Sequence, residues 1–293
     1  MGKRDPSDPR RQLLAHFFRL TAELRPAFFV MENVRGLAYH DARPVLEDAL
    51  DLVRDDYDFE EPRIWDASEF GAATRRNRML VIGIRKDLGR PFRDADLELQ
   101  RRPAATVREA ISDLQNAREL SDDRNLPGFD RWRIAKRGRP HPYAAALRAP
   151  DGSFTGHKPT AHTSKVIARF AEVAQGGKDE IGKHPRLAPD GLCPTLRAGT
   201  GSELGSFQSV RPIHPTEPRV ITVREAARLQ GFPDSHVFHP TIWHSFRMIG
   251  NSVSPIMAKA VFTAIRERLR PALDSNRGSE PAINEMSFDV AAE

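Results

Sequence analysis

The stretch Phe28-Phe29-Val30-Met31-Glu32-Asn33-Val34 decides the fold, because it is the clearest candidate for a buried strand. Four apolar residues precede a carboxylate and an amide, which is typical of a core strand that ends at a polar site. Amphipathic helices are predicted on either side of it, over residues 10–24 and near 43–54, followed by strands near 62–66 and 78–84. Continuously apolar strands that alternate with helices indicate a parallel α/β sheet covered on both faces.

The composition allows one or two domains and gives a modest basic excess. The chain has 293 residues and a formal net charge of +5, which suits a polyanionic partner without specifying one. The single cysteine, Cys193, excludes an intramolecular disulfide and a cysteine-based zinc cluster. His157 and His162 lack further ligands at suitable spacing, so we predict no metal site. We see no signal peptide and no apolar stretch near the ~18 residues of a membrane span, so we expect a cytoplasmic protein.

The character of the sequence changes near residue 88 and again near residue 219. Residues 88–218 are rich in Pro, Gly, Arg and His with weak periodicity, which indicates a second, smaller domain. Residues 219–271 return to helical patterns, with a capping box at Thr222-Val223-Arg224-Glu225 and a last helix that begins at Pro255. Residues 272–293 are predicted to form a disordered tail.

Glu32 and a group of arginines are the first candidates for chemistry. Glu32 ends a strand, and ligands bind at the carboxyl ends of strands in open α/β sheets. Arginines at positions 75, 76 and 78 precede the next apolar strand, where a guanidinium fork would hold a phosphate or a base carbonyl. Taken singly, Glu32 is better explained as a solvated strand-end carboxylate, and the arginines as a basic loop or a set of surface ion pairs.

Two later segments carry further signals. Residues 219–234 read Arg-Val-Ile-Thr-Val-Arg-Glu-Ala-Ala-Arg-Leu-Gln-Gly-Phe-Pro-Asp, and residues 249–255 read Ile-Gly-Asn-Ser-Val-Ser-Pro. Alone, the first is compatible with an ordinary capped helix, and the second with a turn before a proline-initiated helix.

Together and in this order, the four segments resemble the DNA cytosine-5 methyltransferase family over roughly residues 1–265. Glu32-Asn33-Val34 resembles the sixth motif of that family, and Thr74-Arg75-Arg76-Asn77-Arg78 the eighth, with Thr74 where Gln is usual. Residues 219–234 resemble the ninth motif and residues 250–255 the tenth. The resemblance implies an α/β fold with the later strands of a Rossmann-like methyltransferase sheet, plus a small mixed target-recognition domain. Residues 1–87 and 219–271 would then belong to the catalytic domain, and residues 88–218 to target recognition.

The resemblance also implies roles for particular residues, with S-adenosyl-L-methionine as the cofactor and double-stranded DNA as the partner. Glu32 would protonate the cytosine at N3 and Arg78 would contact its O2, after the base has left the duplex. Arg76 would anchor the site or the DNA backbone, and Asn33 would orient the neighbouring loop. The implied cofactor residues are Asn251, Ser252 and Val253, and the implied DNA-binding residues are Thr195, Leu196, Arg197, Gly199, Thr200 and Gly201.

The family's nucleophile, a cysteine in a Pro-Cys motif, has no counterpart in these 293 residues. Cys193 stands in the reverse order, Cys-Pro, and we interpret it as a small structural residue. Three explanations stay open: a piece of a longer enzyme, one subunit of a split enzyme completed by a chain with the first half, or a DNA-binding remnant without catalysis. In each case we expect no methyl transfer by this chain alone, and an open apolar edge on the strand at 28–33.

Overall fold

A computed structural model describes residues 10–38, 43–120, 127–135, 139–198 and 211–277. Its helices are α1 (Arg10–Leu24), α2 (Arg43–Asp51), α3 (Asp94–Glu98), α4 (Val107–Ile111), α5 (Pro142–Leu147), α6 (Ser164–Glu172), α7 (Val223–Gln230), α8 (Ile242–Asn251) and α9 (Pro255–Arg277). Its strands are β1 (Phe28–Asn33), β2 (Tyr57–Phe59), β3 (Arg63–Asp66), β4 (Asn77–Arg85), β5 (Ala117–Glu119), β6 (Arg131–Ile134) and β7 (Ser153–Thr155).

The first sheet is built around β4, in the order β1-β4-β2, and β3 also pairs with β4. All three pairings with β4 are antiparallel, so our prediction of a parallel sheet was wrong. β1 and β2 do run parallel to each other, but β4 lies between them. Alternation along the sequence cannot reveal a strand inserted in the opposite direction, because a buried strand reads as continuously apolar in either direction.

Both faces of this sheet are covered, as the sequence predicted. Met79 and Val81 of β4 pack with β1, α1 and α2 on one face, while Leu80 and Ile82 pack with α9 on the other. This split follows from the alternation of side chains along a strand. Gly83 leaves room for the ring of Phe29, since a Cβ at Gly83 would lie 2.2 Å from a ring carbon.

A second sheet, β5-β6-β7, is antiparallel and lies in the region that the sequence assigned to a smaller domain. The largest core of the described residues joins this sheet to α4, α7 and α8. The region from 88 to 198 is therefore packed directly on the helices that follow residue 219.

Local sequence signals for helix ends were accurate. Thr222 caps α7 with the reciprocal hydrogen bonds of a capping box and α9 begins at Pro255, both as the sequence predicted. Thr106 caps α4 in the same way, and α7 ends at Gly231 in the left-handed conformation, with φ 87°. The predicted tail was wrong in its first residues, because α9 continues through Pro271 to Arg277. The remainder of that predicted tail lies outside the described residues.

One apolar stretch is longer than we expected from the sequence, where we saw none near the length of a membrane span. Residues Ile242–Pro271 have a mean hydropathy of 1.2 over their most apolar window, which is long and apolar enough for a membrane span by these criteria alone. The stretch contains α8 and most of α9, separated at residues 252–254, and 44% of that window is buried inside the fold. Met257, Val261 and Ile265 pack on the first sheet, which is typical of a core helix of a globular protein.

Candidate active site

Glu32 and Arg78 form an ion pair at one end of the first sheet. Glu32 lies opposite Leu80 in the β1–β4 register, and Arg78 precedes Leu80 by two residues, so both side chains lie on the same face. Nε of Arg78 is 2.5 Å from Oε1 of Glu32. The Glu32 side chain is 30% exposed and that of Arg78 10%, so the carboxylate remains accessible beside a largely buried guanidinium.

Arg76 is buried under this pair and holds other parts of the chain together. Its Nη2 donates to the carbonyl of Gly250 (2.9 Å), and its Nη1 to the carbonyl of Leu196 (3.4 Å). Burial lowers the pKa of Arg76 to about 10, helped by the like charge of Arg78 and opposed by Glu32. With 1% of its surface exposed, Arg76 is closed off from a DNA phosphate and serves as an internal anchor.

The segment before β4 lies alongside the start of the predicted recognition loop. The backbones of Thr74 and Cys193 form a parallel bridge, and the Thr74 hydroxyl donates to the Cys193 carbonyl (3.1 Å). Two residues on, the Thr195 hydroxyl donates to the carbonyl of Arg75 (2.7 Å). Thr74, which replaces the usual Gln of the motif, therefore helps to fix the loop relative to the Glu32–Arg78 pair.

The structure separates the predicted DNA-binding residues into three groups. Thr195 and Arg197 are exposed, so their side chains are available to a ligand. Leu196 is buried, with 4% exposure, and contributes its side chain to the large core. Gly199, Thr200 and Gly201 lie outside the described residues.

The predicted cofactor residues come directly after Gly250, whose carbonyl accepts a hydrogen bond from Arg76. They are Asn251, Ser252 and Val253. Asn251 is exposed at the end of α8, and its side-chain amide has no partner among the described residues. The Ser252 hydroxyl donates to the carbonyl of Ile249 (2.8 Å), which closes the helix end. The side-chain amide of Asn251 is therefore free among the described residues, and the short non-helical segment 252–254 follows it.

Asn33 is not brought to the Glu32–Arg78 pair. It lies opposite Met79, whose side chain packs on the other face of the sheet, and its Oδ1 accepts a hydrogen bond from the Val34 backbone (2.8 Å). That local bond agrees with a role in shaping the loop after β1.

The helix α7 carries an ion-pair network that sequence reasoning missed. Arg219 makes two hydrogen bonds to the buried carboxylate of Glu225, at 2.7 and 2.9 Å. Burial alone would raise the pKa of Glu225, but the bonds and charge of Arg219 outweigh it and lower that pKa to about 2. Arg228 is likewise buried and holds Asp234 with two bonds of 2.7 Å.

The network also connects α7 to the second sheet. Arg224, with no exposed surface, donates to the carbonyls of Thr155 at the end of β7 and of His236. Three charged residues stand on this short helix, whose every position is buried. Because that burial comes from tertiary packing, the sequence held no usable signal for the network.

Cys193 and His157 are both buried inside the fold. Cys193 has no exposed surface, and burial raises its pKa to about 12. His157 is buried against Trp132 and Phe154, and its Nδ1 lies 3.0 Å from the Thr222 hydroxyl. Within the described residues, no group of three His, Cys, Asp or Glu side chains is placed to hold a metal ion.

A cavity of about 370 Å³ lies between the second sheet, α7 and the start of α8. Its walls include Phe129, Lys158, Phe238 and His239, and none of the predicted site residues lines it. We therefore place the candidate chemistry at the Glu32–Arg78 pair, where an accessible carboxylate meets a largely buried guanidinium, and not in this cavity.

Comparisons with known proteins agree with the sequence resemblance. The family profile of C-5 cytosine-specific DNA methylases matches residues 1–267. The type II methyltransferase M.XorII of Xanthomonas oryzae pv. oryzae is 41% identical over 286 residues, which cover 92% of this chain and 65% of the relative. M.DdeI of Desulfomicrobium norvegicum is 28% identical and is covered to 72%. The chain thus spans about two thirds of the length of these relatives.

Two solved structures have a similar fold. A prophage-encoded E. coli protein described as a candidate DNA modification methyltransferase superimposes with a TM-score of 0.74 at 36% identity, covering 90% of this chain and 75% of that one. Dnmt2 of S. pombe gives a TM-score of 0.55 at 15% identity, covering 92% and 76%, and supports the fold alone.

Proposed function

Because the chain belongs to the C-5 cytosine-specific DNA methylase family, we propose that it is the base-holding and DNA-recognising part of a DNA cytosine-5 methyltransferase. The enzyme would transfer a methyl group from S-adenosylmethionine to C5 of a cytosine in double-stranded DNA. The observation that carries the proposal is the accessible Glu32 carboxylate held 2.5 Å from Arg78. Relatives named type II methyltransferases support a role in restriction-modification.

The Glu32–Arg78 pair fits one edge of a cytosine ring. N3 and O2 are neighbours on that edge, so a protonated Glu32 donates to N3 while Arg78 donates to O2. Addition of a thiolate at C6 pushes electron density onto N3, and the proton from Glu32 relieves it. A stacked base cannot present its C6 to a nucleophile, so the cytosine must first leave the duplex.

The residues after α8 fit one wall of a cofactor site. Asn251 offers a free amide, and Val253 is only partly buried beside Ser252. When bound, S-adenosylmethionine supplies the methyl group that C5 takes. The residues of this chain would hold and orient it, and Arg76, through the Gly250 carbonyl, would fix that wall relative to Glu32.

The thiol must come from outside these 293 residues in our proposal. Cys193 is buried, with its pKa raised to about 12, so it cannot reach a base as a thiolate. We propose that a segment with a Pro-Cys motif, in a longer chain or in a separate subunit, pairs with the edge of β1 that has no partner among the described residues. The second candidate function, a DNA-binding remnant without catalysis, is favoured by the same burial of Cys193.

We also propose which residues recognise the target DNA and in which cellular compartment the protein works. Residues 88–218 would read the target through Thr195 and Arg197, which are exposed beside the arginine segment, and Gly199, Thr200 and Gly201 would contribute to the same recognition. Since the substrate is cellular DNA, we place the protein in the cytoplasm, with α8 and α9 as core helices.

A methyl-transfer assay with separated halves tests the proposal. Labelled S-adenosylmethionine and duplex DNA are incubated with this chain, with the part of M.XorII that this chain does not match, and with both polypeptides. We expect incorporation only with both, and none when Glu32 is replaced by Gln. Incorporation by this chain alone would contradict our assignment of the nucleophile, and no incorporation with both, despite a demonstrated complex on DNA, would favour the remnant.

A further inference from the structure

The exposed face of α8 carries an ordered aromatic and cationic cluster outside the site described above. The Arg247 guanidinium lies over the Trp243 ring, 5.4 Å from its centroid, and the His244 ring packs edge-on against Trp243 at 4.6 Å. Trp243 remains 38% exposed. A cation held over an indole face keeps its N–H groups available at the rim, so Arg247 is positioned before any ligand arrives.

This cluster continues to the predicted recognition loop. Trp243, Arg247 and Asn251 follow one another at intervals of four residues, so they lie along one stripe of the helix. Gly250 borders the stripe and touches the loop backbone, since a Cβ there would lie 2.4 Å from the nitrogen of Ala198. From Gly250 to Trp243 the helix rises about 10 Å, so the stripe extends away from the loop by about that length.

The charge around α8 favours an anionic ligand. The chain contains 40 acidic residues, yet none stands between Asp234 and Glu267, so α8 carries Arg247 and no carboxylate of its own. A helix face with a guanidinium and no carboxylate of its own attracts polyanions, and a guanidinium binds phosphate with two parallel hydrogen bonds. A purely apolar protein interface would not need this depletion of acidic residues.

We propose that Trp243, His244 and Arg247, the α8 strip, bind the phosphate backbone of duplex DNA that flanks the target. Arg247 donates to a phosphate, and the Trp243 ring supports the guanidinium and covers the adjacent sugar. The strip lengthens the DNA contact beyond the loop that contains Arg197. This inference rests on the proposed function, because it takes the same DNA as its ligand.

The test is DNA binding by the full 293-residue chain. Fluorescein-labelled duplexes of mixed sequence, 12 and 30 base pairs long, are titrated between 50 and 300 mM salt and followed by anisotropy. We expect Arg247→Ala to weaken binding to the 30-base-pair duplex about threefold to tenfold and to reduce the salt slope by about 0.9, with a smaller effect on the short duplex. Trp243→Ala should weaken binding about threefold, and Trp243→Phe should restore it.

The matched control is Arg266→Ala, an exposed arginine on α9, which should bind within about twofold of the parent.

Arg197→Ala separates the two proposals. If Arg197→Ala weakens binding while Arg247→Ala behaves like the control, the α8 strip is not a DNA contact and the proposed function stands. If the parent binds neither duplex, both proposals are wrong. Arg247→Ala could instead bind DNA normally and no longer bind the part of M.XorII that this chain does not match. That result would show that α8 contacts protein and not DNA. Unchanged circular dichroism and melting establish that each variant is folded.

Discussion

Replacing Glu225 by Gln probes the ion pair that holds the beginning of α7. The carboxylate of Glu225 is buried and accepts two bonds from Arg219, and it also accepts the Thr222 backbone N–H at 2.7 Å in the capping box. His157 and His214 face it as well, and the Nε2 of His214 lies 3.7 Å away. Gln keeps the size and one acceptor oxygen, so the substitution removes mainly the charge.

The magnitude follows from the pKa of Glu225. A pKa lowered from 4.5 to about 2 corresponds to about 3 kcal/mol of the free energy of unfolding. Because the folded-state pKa is the lower one, this contribution is fully present above about pH 5 and is lost as the pH falls toward 2. Between pH 5 and pH 3 the free energy of unfolding of the parent should therefore fall by about 2 kcal/mol more than that of the Gln variant.

Urea unfolding followed by circular dichroism at pH 7, 5, 4 and 3 measures both effects. At pH 7 we expect Glu225→Gln to be less stable by about 3 kcal/mol, since Arg219 keeps a buried charge without its main partner. The control is Glu217→Gln, which removes the other, half-exposed carboxylate of Arg219 and should cost less than about 1 kcal/mol. Equal losses in the two variants, or parallel pH curves for Glu225→Gln and the parent, would falsify the reasoning.

Three further predictions concern the candidate site. Gly250→Ala should destabilise the chain by about 1–3 kcal/mol in urea unfolding, because its Cβ would lie 2.4 Å from the Ala198 nitrogen, whereas a loss below 0.5 kcal/mol would mean that the loop moves aside freely. Cys193, with no exposed surface and a pKa raised to about 12, should resist thiol reagents in the native chain and react fully in urea, and rapid native labelling would contradict the burial. Glu32→Gln in the reconstituted enzyme should lower turnover about 10²–10⁴-fold with DNA affinity within twofold, while unchanged turnover would remove Glu32 from the chemistry.

The candidate site was only partly readable from the sequence. The ordered motifs pointed to Glu32 and Arg78, but their ion pair depends on the register in which Glu32 lies opposite Leu80. Arg76 looked like Arg78 in the sequence, yet it is fully buried and bonds to backbone carbonyls of residues 196 and 250. Two arginines two residues apart share a face of the chain, and only the tertiary packing decides that Arg76 bonds to backbone carbonyls while Arg78 meets the carboxylate of Glu32.

The sequence by itself determined the local elements of this protein. Thr222 and Glu225 specify a helix start and Gly231 its end, because capping bonds and left-handed backbone conformations depend on residues close in the chain. Only the tertiary structure decided the antiparallel insertion of β4, the burial of Arg76 and the exposure of Arg247 on α8. Strand direction and burial arise from contacts between residues far apart in sequence, which periodicity and spacing along one segment do not encode.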